Sequence, residues 1–293
     1  MTVKRVEVLA YAKINLMLDI IRRRTDGYHD LFMIMQSVGV ADRVTVEREP
    51  GRKLRLTASI DDIPLDDKNI AWKAAALFFK TTGLRRPGLH IHLEKHIPHA
   101  AGLAGGSADG AAVLVALNRL MGTDLSTDQL CAIGVQIGAD VPFALMGGTC
   151  RVQGVGDLLK ALPPVPDCWF TVVMPDYGVS TPEAFAAYDT VGSSIHPDCE
   201  AQEKAIRAGD LDAVCAAAGN ALEECSGAKD NEAIKALLRA HGAVTALMTG
   251  SGAAVFGVFR DEAAARTAAA AARRQWPQVY VAKPDRGGAR VIR

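Results

Sequence analysis

Between residues 98 and 110 the chain reads Pro98-His99-Ala100-Ala101-Gly102-Leu103-Ala104-Gly105-Gly106-Ser107-Ala108-Asp109-Gly110. Three glycines and a serine follow a strand-like run, Leu89 to Glu94, and lead straight into a helical pattern from Ala111 to Leu120. Without a Cβ, glycine lets a backbone close around a ligand. A helix N-terminus adds unpaired N–H groups and the positive end of a dipole. Such a loop suits an anion, phosphate foremost, although an ordinary glycine-rich turn has the same composition. A Walker loop requires a Lys directly before the serine, and Gly106 stands there instead. A dinucleotide fingerprint requires G-x-G-x-x-G after a first strand. The spacing here is Gly102-x-x-Gly105-Gly106, and Pro98 breaks the approach. These residues point to a third class of nucleotide binder.

The chain has 293 residues and is 49% hydrophobic, enough for two packed cores. Lysine plus arginine equals aspartate plus glutamate at 33 each, so nothing points to nucleic acid or an acidic membrane as partner. The run Arg22-Arg23-Arg24 reads as a solvated turn. Six cysteines, at 131, 150, 168, 199, 215 and 225, form no C-x-x-C pair and no zinc-ligand spacing. They read as reduced thiols, which places the expected location in the cytoplasm. The N-terminal residues from Met1 lack the apolar core of a signal peptide. No 18-residue apolar run is present, so no membrane span is expected. A monomer or weak homodimer is expected.

Strands are expected at Val6 to Ala12, Val44 to Glu47, Leu54 to Ala58, Leu89 to Glu94, Thr149 to Gln153, Trp169 to Met174, Ala254 to Phe259 and Gln278 to Ala282. Helices are expected at Asn69 to Lys80, after the glycine loop, and at Thr127 to Ile137, Pro182 to Tyr188, Cys199 to Ala208, Leu211 to Asn220, Asn231 to His241 and Ala263 to Ala272. Asn69 and Ser126 are plausible N-caps. Prolines at 163, 164 and 166 mark a boundary, giving domains 1–162 and 163–293. Alternation of strands and helices in both halves argues for a two-domain α/β or α+β protein.

Four further clusters bear on chemistry. In Ala12-Lys13-Ile14-Asn15-Leu16, Lys13 reads as a snorkelling surface residue or a functional cation, and Asn15 as a turn closer or a ligand contact. In Arg24-Thr25-Asp26-Gly27-Tyr28-His29, the Asp-Gly turn precedes two rings suited to a flat ligand. In Gly138-Ala139-Asp140-Val141-Pro142-Phe143, Asp140 is a helix cap or, beside a Lys, a base that takes a hydroxyl proton. In Thr249-Gly250-Ser251-Gly252-Ala253, the Gly-x-Gly is packing punctuation or a second set of N–H groups for substrate.

Taken together and in this order, the clusters resemble the superfamily of galactokinase, homoserine kinase, mevalonate kinase and phosphomevalonate kinase. Its three motifs correspond to Lys13-Ile14-Asn15, Pro98 to Ser107, and Thr249 to Val255. Arg24-x-Asp26-Gly27-Tyr28-His29, Asn69-Ile70-Ala71-Trp72, Gly138-x-Asp140-Val141-Pro142-Phe143 and Gly154-Val155-Gly156 make the pattern most similar to the 4-diphosphocytidyl-2-C-methyl-D-erythritol kinase family. The resemblance spans about residues 8 to 260. It departs at His99-Ala100, where the family has Met-Gly, and at Ala108, where many relatives have a second serine. Ala100 adds a Cβ where the loop of the family curls around phosphate, and Lys13, Ser107 and Asp140 are all retained.

The resemblance implies an α+β fold with a ribosomal S5-like ATP-binding N-terminal domain and a ferredoxin-like C-terminal domain. It implies transfer of the γ-phosphoryl of ATP, with Mg²⁺, to the 2-hydroxyl of the cytidyl substrate, in non-mevalonate isoprenoid biosynthesis. Lys13 and Asp140 would be catalytic. Asn69, Pro98, Ala101, Gly102, Leu103, Ala104, Gly105, Gly106 and Ser107 would bind ATP, with Ser107 near the metal. Asn15, Tyr28, His29, Asp140, Thr181, Phe185, Gly250, Ser251 and Gly252 would bind the second substrate, Tyr28 and Phe185 sandwiching its cytosine. A sister kinase of mevalonate or homoserine is the alternative, although those substrates have no base for Tyr28 and His29. A non-catalytic nucleotide binder is the other, although Lys13 and Asp140 are both retained.

Overall fold

Two long strands dominate the computed structural model, which describes residues 3–293. Met1 and Thr2, where the search for a leader began, lie outside the described residues. Strand β1 runs Arg5–Arg23 and β2 His29–Glu49, joined by a turn in which Gly27 takes φ +88°. Then follow β3 (Leu54–Ala58), α1 (Ile70–Thr82), β4 (Gly88–Glu94), α2 (Gly105–Met121), α3 (Thr127–Gly134), α4 (Val141–Met146), β5 (Thr149–Gly154) and β6 (Leu158–Ala161). The second half comprises β7 (Trp169–Met174), α5 (Thr181–Val191), α6 (Cys199–Ala208), α7 (Leu211–Ala216), β8 (Gly219–Asn220), α8 (Asn231–Ala240), β9 (Thr245–Met248), β10 (Val255–Phe259), α9 (Glu262–Ala272), β11 (Gln278–Ala282) and β12 (Arg290–Val291).

The length of β2 lets it serve two neighbours. Its C-terminal half pairs with β4, Val44 opposite Leu93, and its N-terminal half with β5, Ile34 opposite Arg151. The path β12-β1-β2-β4-β3 forms the first sheet. Apolar residues of β1 pack under α2, whose buried face carries Ala108, Ala111, Ala112, Leu114 and Leu117. Helix α1 lies so close to α2 that a Cβ on Gly110 would sit 2.6 Å from Ile70 Cγ2, which explains glycine inside a helix.

The second sheet is antiparallel, ordered β11-β7-β10-β9. Numbered by their sequence order within the sheet, the strands run 4-1-3-2, the arrangement of a ferredoxin-like βαββαβ unit, with α8 and α9 against it. This matches the α+β expectation. The halves are interlaced all the same. Strand β8 pairs parallel with β1 at Met17 and Leu18, and β12 pairs with β1 at Val8 and Leu9.

Several expected elements were cut short or extended. The strand expected to end at Ala12 continues to Arg23, because the polar residues that interrupt its apolar pattern are themselves buried. The helix expected to reach Asn220 stops at Ala216, and Gly219–Asn220 joins the first sheet instead. Among the described residues, no helix is long and apolar enough to cross a membrane. The six cysteines are free, and burial pushes the Cys131 thiol up to about 11 and Cys168 to about 12.

Candidate active site

Lys13 sits mid-strand with only 5% of its surface exposed, which removes the snorkelling reading. Its Nζ donates to Asn15 Oδ1 at 2.6 Å, and Asn15 is fully buried. Burial drives the Lys13 pKa below its ordinary value, and the Asp140 carboxylate partly offsets this. Asp140 stands at the N-cap position of α4, yet its side chain accepts no capping hydrogen bond. The half-buried carboxylate is therefore available to a substrate, and the cap reading of Asp140 fails. Lys13 and Asp140 make no direct ion pair, so the cation feels the carboxylate across a gap.

The third motif wraps over Lys13 and Asn15. Thr249 Oγ1 accepts from the Asn15 amide at 3.0 Å. A Cβ on Gly250 would lie 3.3 Å from Lys13 Nζ, and one on Gly102, at φ +73°, would lie 2.0 Å from the Thr249 carbonyl oxygen. Glycine at 102 and 250 is thus a condition for bringing three distant segments together. Asn220 secures the turn by donating to the carbonyls of Met248, at 2.9 Å, and Gly250, at 2.8 Å. Ser251 Oγ meets Thr181 Oγ1 at 2.9 Å, tying the turn to α5. Asn220 escaped the sequence reading, which placed it at the end of a helix.

The glycine loop is held from both sides. The Lys13 amide donates to Leu103 O at 3.1 Å, Ala254 N to Ala101 O at 3.3 Å, and Val179 N to Ala100 O at 3.2 Å. Ala104 takes a left-handed conformation at the N-cap of α2 without a side-chain cap. The first backbone bond of the helix runs from Ala108 N to Ala104 O. The amides of Gly105, Gly106 and Ser107 consequently have no acceptor within the helix and lie at the positive end of α2. Gly138 lies beside Ser107, since a Cβ there would be 3.9 Å from Ser107 Oγ, so the helix start adjoins the Asp140 turn. Pro98 is buried at the entry. Ala100 takes φ 51°, an unfavourable conformation for a residue with a Cβ, but that Cβ is at an exposed position. His99 Nδ1 is 3.3 Å from Asp62 Oδ2 on the surface.

Beneath the loop lies an anchor that the sequence did not reveal. Lys95 Nζ bonds Asp42 and Asp109 Oδ2, the latter at 2.6 Å, and Asp42 also accepts from the amides of His96 and Ile97. Two carboxylates share one cation here. Burial, with Asp42 adding its charge and Lys95 opposing, pushes the Asp109 carboxyl up to about 7. Asn69 has both ends of its amide engaged locally, accepting from Ala71 N at 2.8 Å and donating to Pro64 O at 2.7 Å, so its side chain shapes the start of α1.

At the hairpin tip, His29 and Phe185 stack with centroids 5.0 Å apart and planes 25° apart. Tyr28 is 66% exposed and meets neither ring, so the expected Tyr28/Phe185 sandwich is not preformed. The three arginines are all paired: Arg22 with Asp30, Arg23 with Asp189, Arg24 with Asp26 and Asp30.

Comparison with known proteins agrees with this layout. Residues 69–148 match the GHMP kinases N terminal domain, and 202–278 the GHMP kinases C terminal domain. The 4-diphosphocytidyl-2-C-methyl-D-erythritol kinase of Moorella thermoacetica is 42% identical over 279 residues, 94% of this chain and 97% of its own. That of Lachnoclostridium phytofermentans is 39% identical over 265 residues, 90% and 91% of the two chains. A crystal structure of 4-(cytidine 5'-diphospho)-2C-methyl-D-erythritol kinase superposes with a TM-score of 0.80 at 34% identity, covering 96% of this chain and 99% of that one.

This chain belongs to the GHMP kinases, in the 4-diphosphocytidyl-2-C-methyl-D-erythritol kinase family.

Homoserine kinase from Cytophaga hutchinsonii also superposes at 0.80, with 19% identity over 100% of this chain and 98% of that one, and shares the fold. Among the described residues of the GHMP kinase, no group of three or more His, Cys, Asp or Glu side chains converges as a metal site. The Ser107 hydroxyl and the uncapped Asp140 carboxylate suit a Mg²⁺ that arrives on the phosphates of ATP, since this ion takes few protein oxygens and keeps waters, and the amides at the start of α2 suit the phosphates themselves.

Proposed function

We propose that this kinase transfers the γ-phosphoryl group of ATP to the 2-hydroxyl of 4-diphosphocytidyl-2-C-methyl-D-erythritol. The observation that carries the reading is the buried Lys13, bonded to Asn15 and facing the uncapped Asp140 across a gap beside the N-terminus of α2. The substrate hydroxyl fits that gap. Asp140 takes its proton, the oxygen attacks the γ-phosphorus, and the bond to the bridging oxygen breaks to release ADP. Lys13 stabilises the charge that develops on the oxygen, and Asn15 orients it. Ala101 to Ser107 hold the phosphates through backbone amides, and Asn69 shapes the adenine side. Ser107 would hold a Mg²⁺, which would supply further charge neutralisation.

Residues 1–162 form the ATP side in this reading and also bring Asn15, Tyr28 and His29 to the acceptor, and 163–293 form the rest of the acceptor side. Thr181, Gly250, Ser251 and Gly252 line the acceptor, and its cytosine lies on Phe185 beside His29, with Tyr28 closing over it. Free, buried thiols support a reducing cytoplasmic setting. The chain acts as a monomer or weak homodimer, which light scattering checks. An ADP-release assay with the cytidyl substrate, mevalonate and homoserine tests the function. Turnover is expected with the cytidyl substrate alone, and comparable rates with either other alcohol refute the assignment.

A further inference from the structure

Asp189, on α5, reaches back across 160 residues to His29. Its Oδ1 lies 2.7 Å from His29 Nε2, and its Oδ2 lies 3.3 Å from Arg23 Nε. Arg23 is the residue paired with His29 across the hairpin, so its exposed guanidinium meets the same carboxylate. Phe185, also on α5, stacks on the imidazole, and Tyr188 meets it edge-on at 6.2 Å and 89°. His29 is buried, with 7% of its surface exposed. Its Nδ1 has no hydrogen-bond partner among the described residues.

We infer that Asp189 sets the base specificity of this kinase by fixing the tautomer of His29. The inference rests on the proposed seat of the cytosine against Phe185. A carboxylate only accepts hydrogen bonds, so the proton of neutral imidazole must sit on Nε2. Nδ1 then carries a lone pair. A base hydrogen-bonded edge-on to Nδ1 lies in the imidazole plane. That plane is 25° from the Phe185 ring, so a base held there is oriented for offset stacking on Phe185. A lone pair at that edge accepts from the exocyclic amine of cytosine. It repels the carbonyl oxygen that uracil carries at the same place. Asp189 touches His29 and not the substrate, so it is a positioning residue.

Calorimetric titration of CMP and UMP, with ATP as a third ligand, tests this in wild type and three variants. Wild type is expected to prefer CMP. Asp189→Ala frees the imidazole to donate from Nδ1, and the CMP-to-UMP affinity ratio is expected to fall about tenfold, with ATP affinity unchanged. Asp189→Asn, whose amide pairs with either tautomer, is expected to lower the ratio in the same direction with less disturbance of packing. Arg23→Ala is expected to keep the preference, because the contact between Asp189 and His29 remains. If Asp189→Ala weakens CMP and UMP by the same factor, or leaves the ratio as in wild type, the role of Asp189 is overturned while the base site stands. If wild type shows no preference for CMP, the base site falls and this inference with it.

Discussion

Replacing Lys13 with Met separates catalysis from stability, because the structure predicts opposite signs for the two. The lysine is 5% exposed, and burial holds its pKa below 10.5, so the folded state carries the cost of an incompletely compensated cation. Substituting an apolar residue of similar length removes the desolvation cost of that charge. Against this stands the bond to Asn15 Oδ1, worth about 1 kcal/mol. Thr249 Oγ1, 3.4 Å from the same oxygen, partly compensates. The relief of desolvation opposes the lost bond, and the lowered pKa sets its sign, so the Met variant is expected to be at least as stable as wild type. The sign with pH is also fixed. The folded protein binds the Lys13 proton less tightly than the unfolded chain, so the cost is fully present at low pH and fades as pH rises towards 10.5. The advantage of the Met variant should shrink over the same range. Its kcat should fall by roughly 10²–10³, the loss seen when one preorganised electrostatic group is removed, with little change in either KM. Steady-state kinetics and urea unfolding at several pH values provide the measurements. A kcat within threefold of wild type, or destabilisation by more than about 2 kcal/mol, refutes the account of Lys13 as a strained catalytic cation.

Asp140→Asn should lower kcat by roughly 10²–10⁴ and leave ATP binding intact; activity near wild type removes it as the base. Gly102→Ala should destabilise by about 2–4 kcal/mol through backbone strain and overlap with Thr249, whereas Gly27→Ala, also at positive φ but with open space around it, should cost about 1 kcal/mol, so equal losses in thermal unfolding refute the packing argument. Asp109, raised from 3.8 to about 7, binds its proton more tightly when folded. Its contribution to stability is therefore complete below 3.8 and lost as pH rises through about 7, and Asp109→Asn should flatten that slope in denaturation series. Tyr28→Ala and Phe185→Ala should each weaken CMP by roughly 1–3 kcal/mol, non-additively, with ATP affinity unmoved; unchanged CMP binding in calorimetry refutes the base site.

The strands Trp169–Met174 and Gln278–Ala282 and the helix Cys199–Ala208 were legible to the residue, because uninterrupted patterns end at prolines, glycines or charges. Beyond Ala12, β1 was not, since Lys13, Asn15 and Asp19 interrupt its apolar pattern and are themselves buried. The chemistry that makes the site useful hides the strand that carries it. Lys13, Ser107, Asp140 and Gly250 stood out as candidates because motif order carried them. Asn220, Asp189 and the pair Asp42 and Lys95 were missed because their roles depend on partners 28 to 160 residues away, a separation that leaves no local pattern.

The interlacing of β8 and β12 with β1 has a consequence for how the protein is made. A ribosome delivers the strand bearing Lys13 early, yet one neighbour of that strand arrives at residue 219 and another at residue 290. A nascent chain that has reached the proline-rich boundary therefore presents β1 with unpaired backbone on that side, a template for misassociation with other chains. Domain-by-domain folding during synthesis leaves the first sheet incomplete until almost the whole polypeptide has emerged, so closure of this kinase is a late, long-range event.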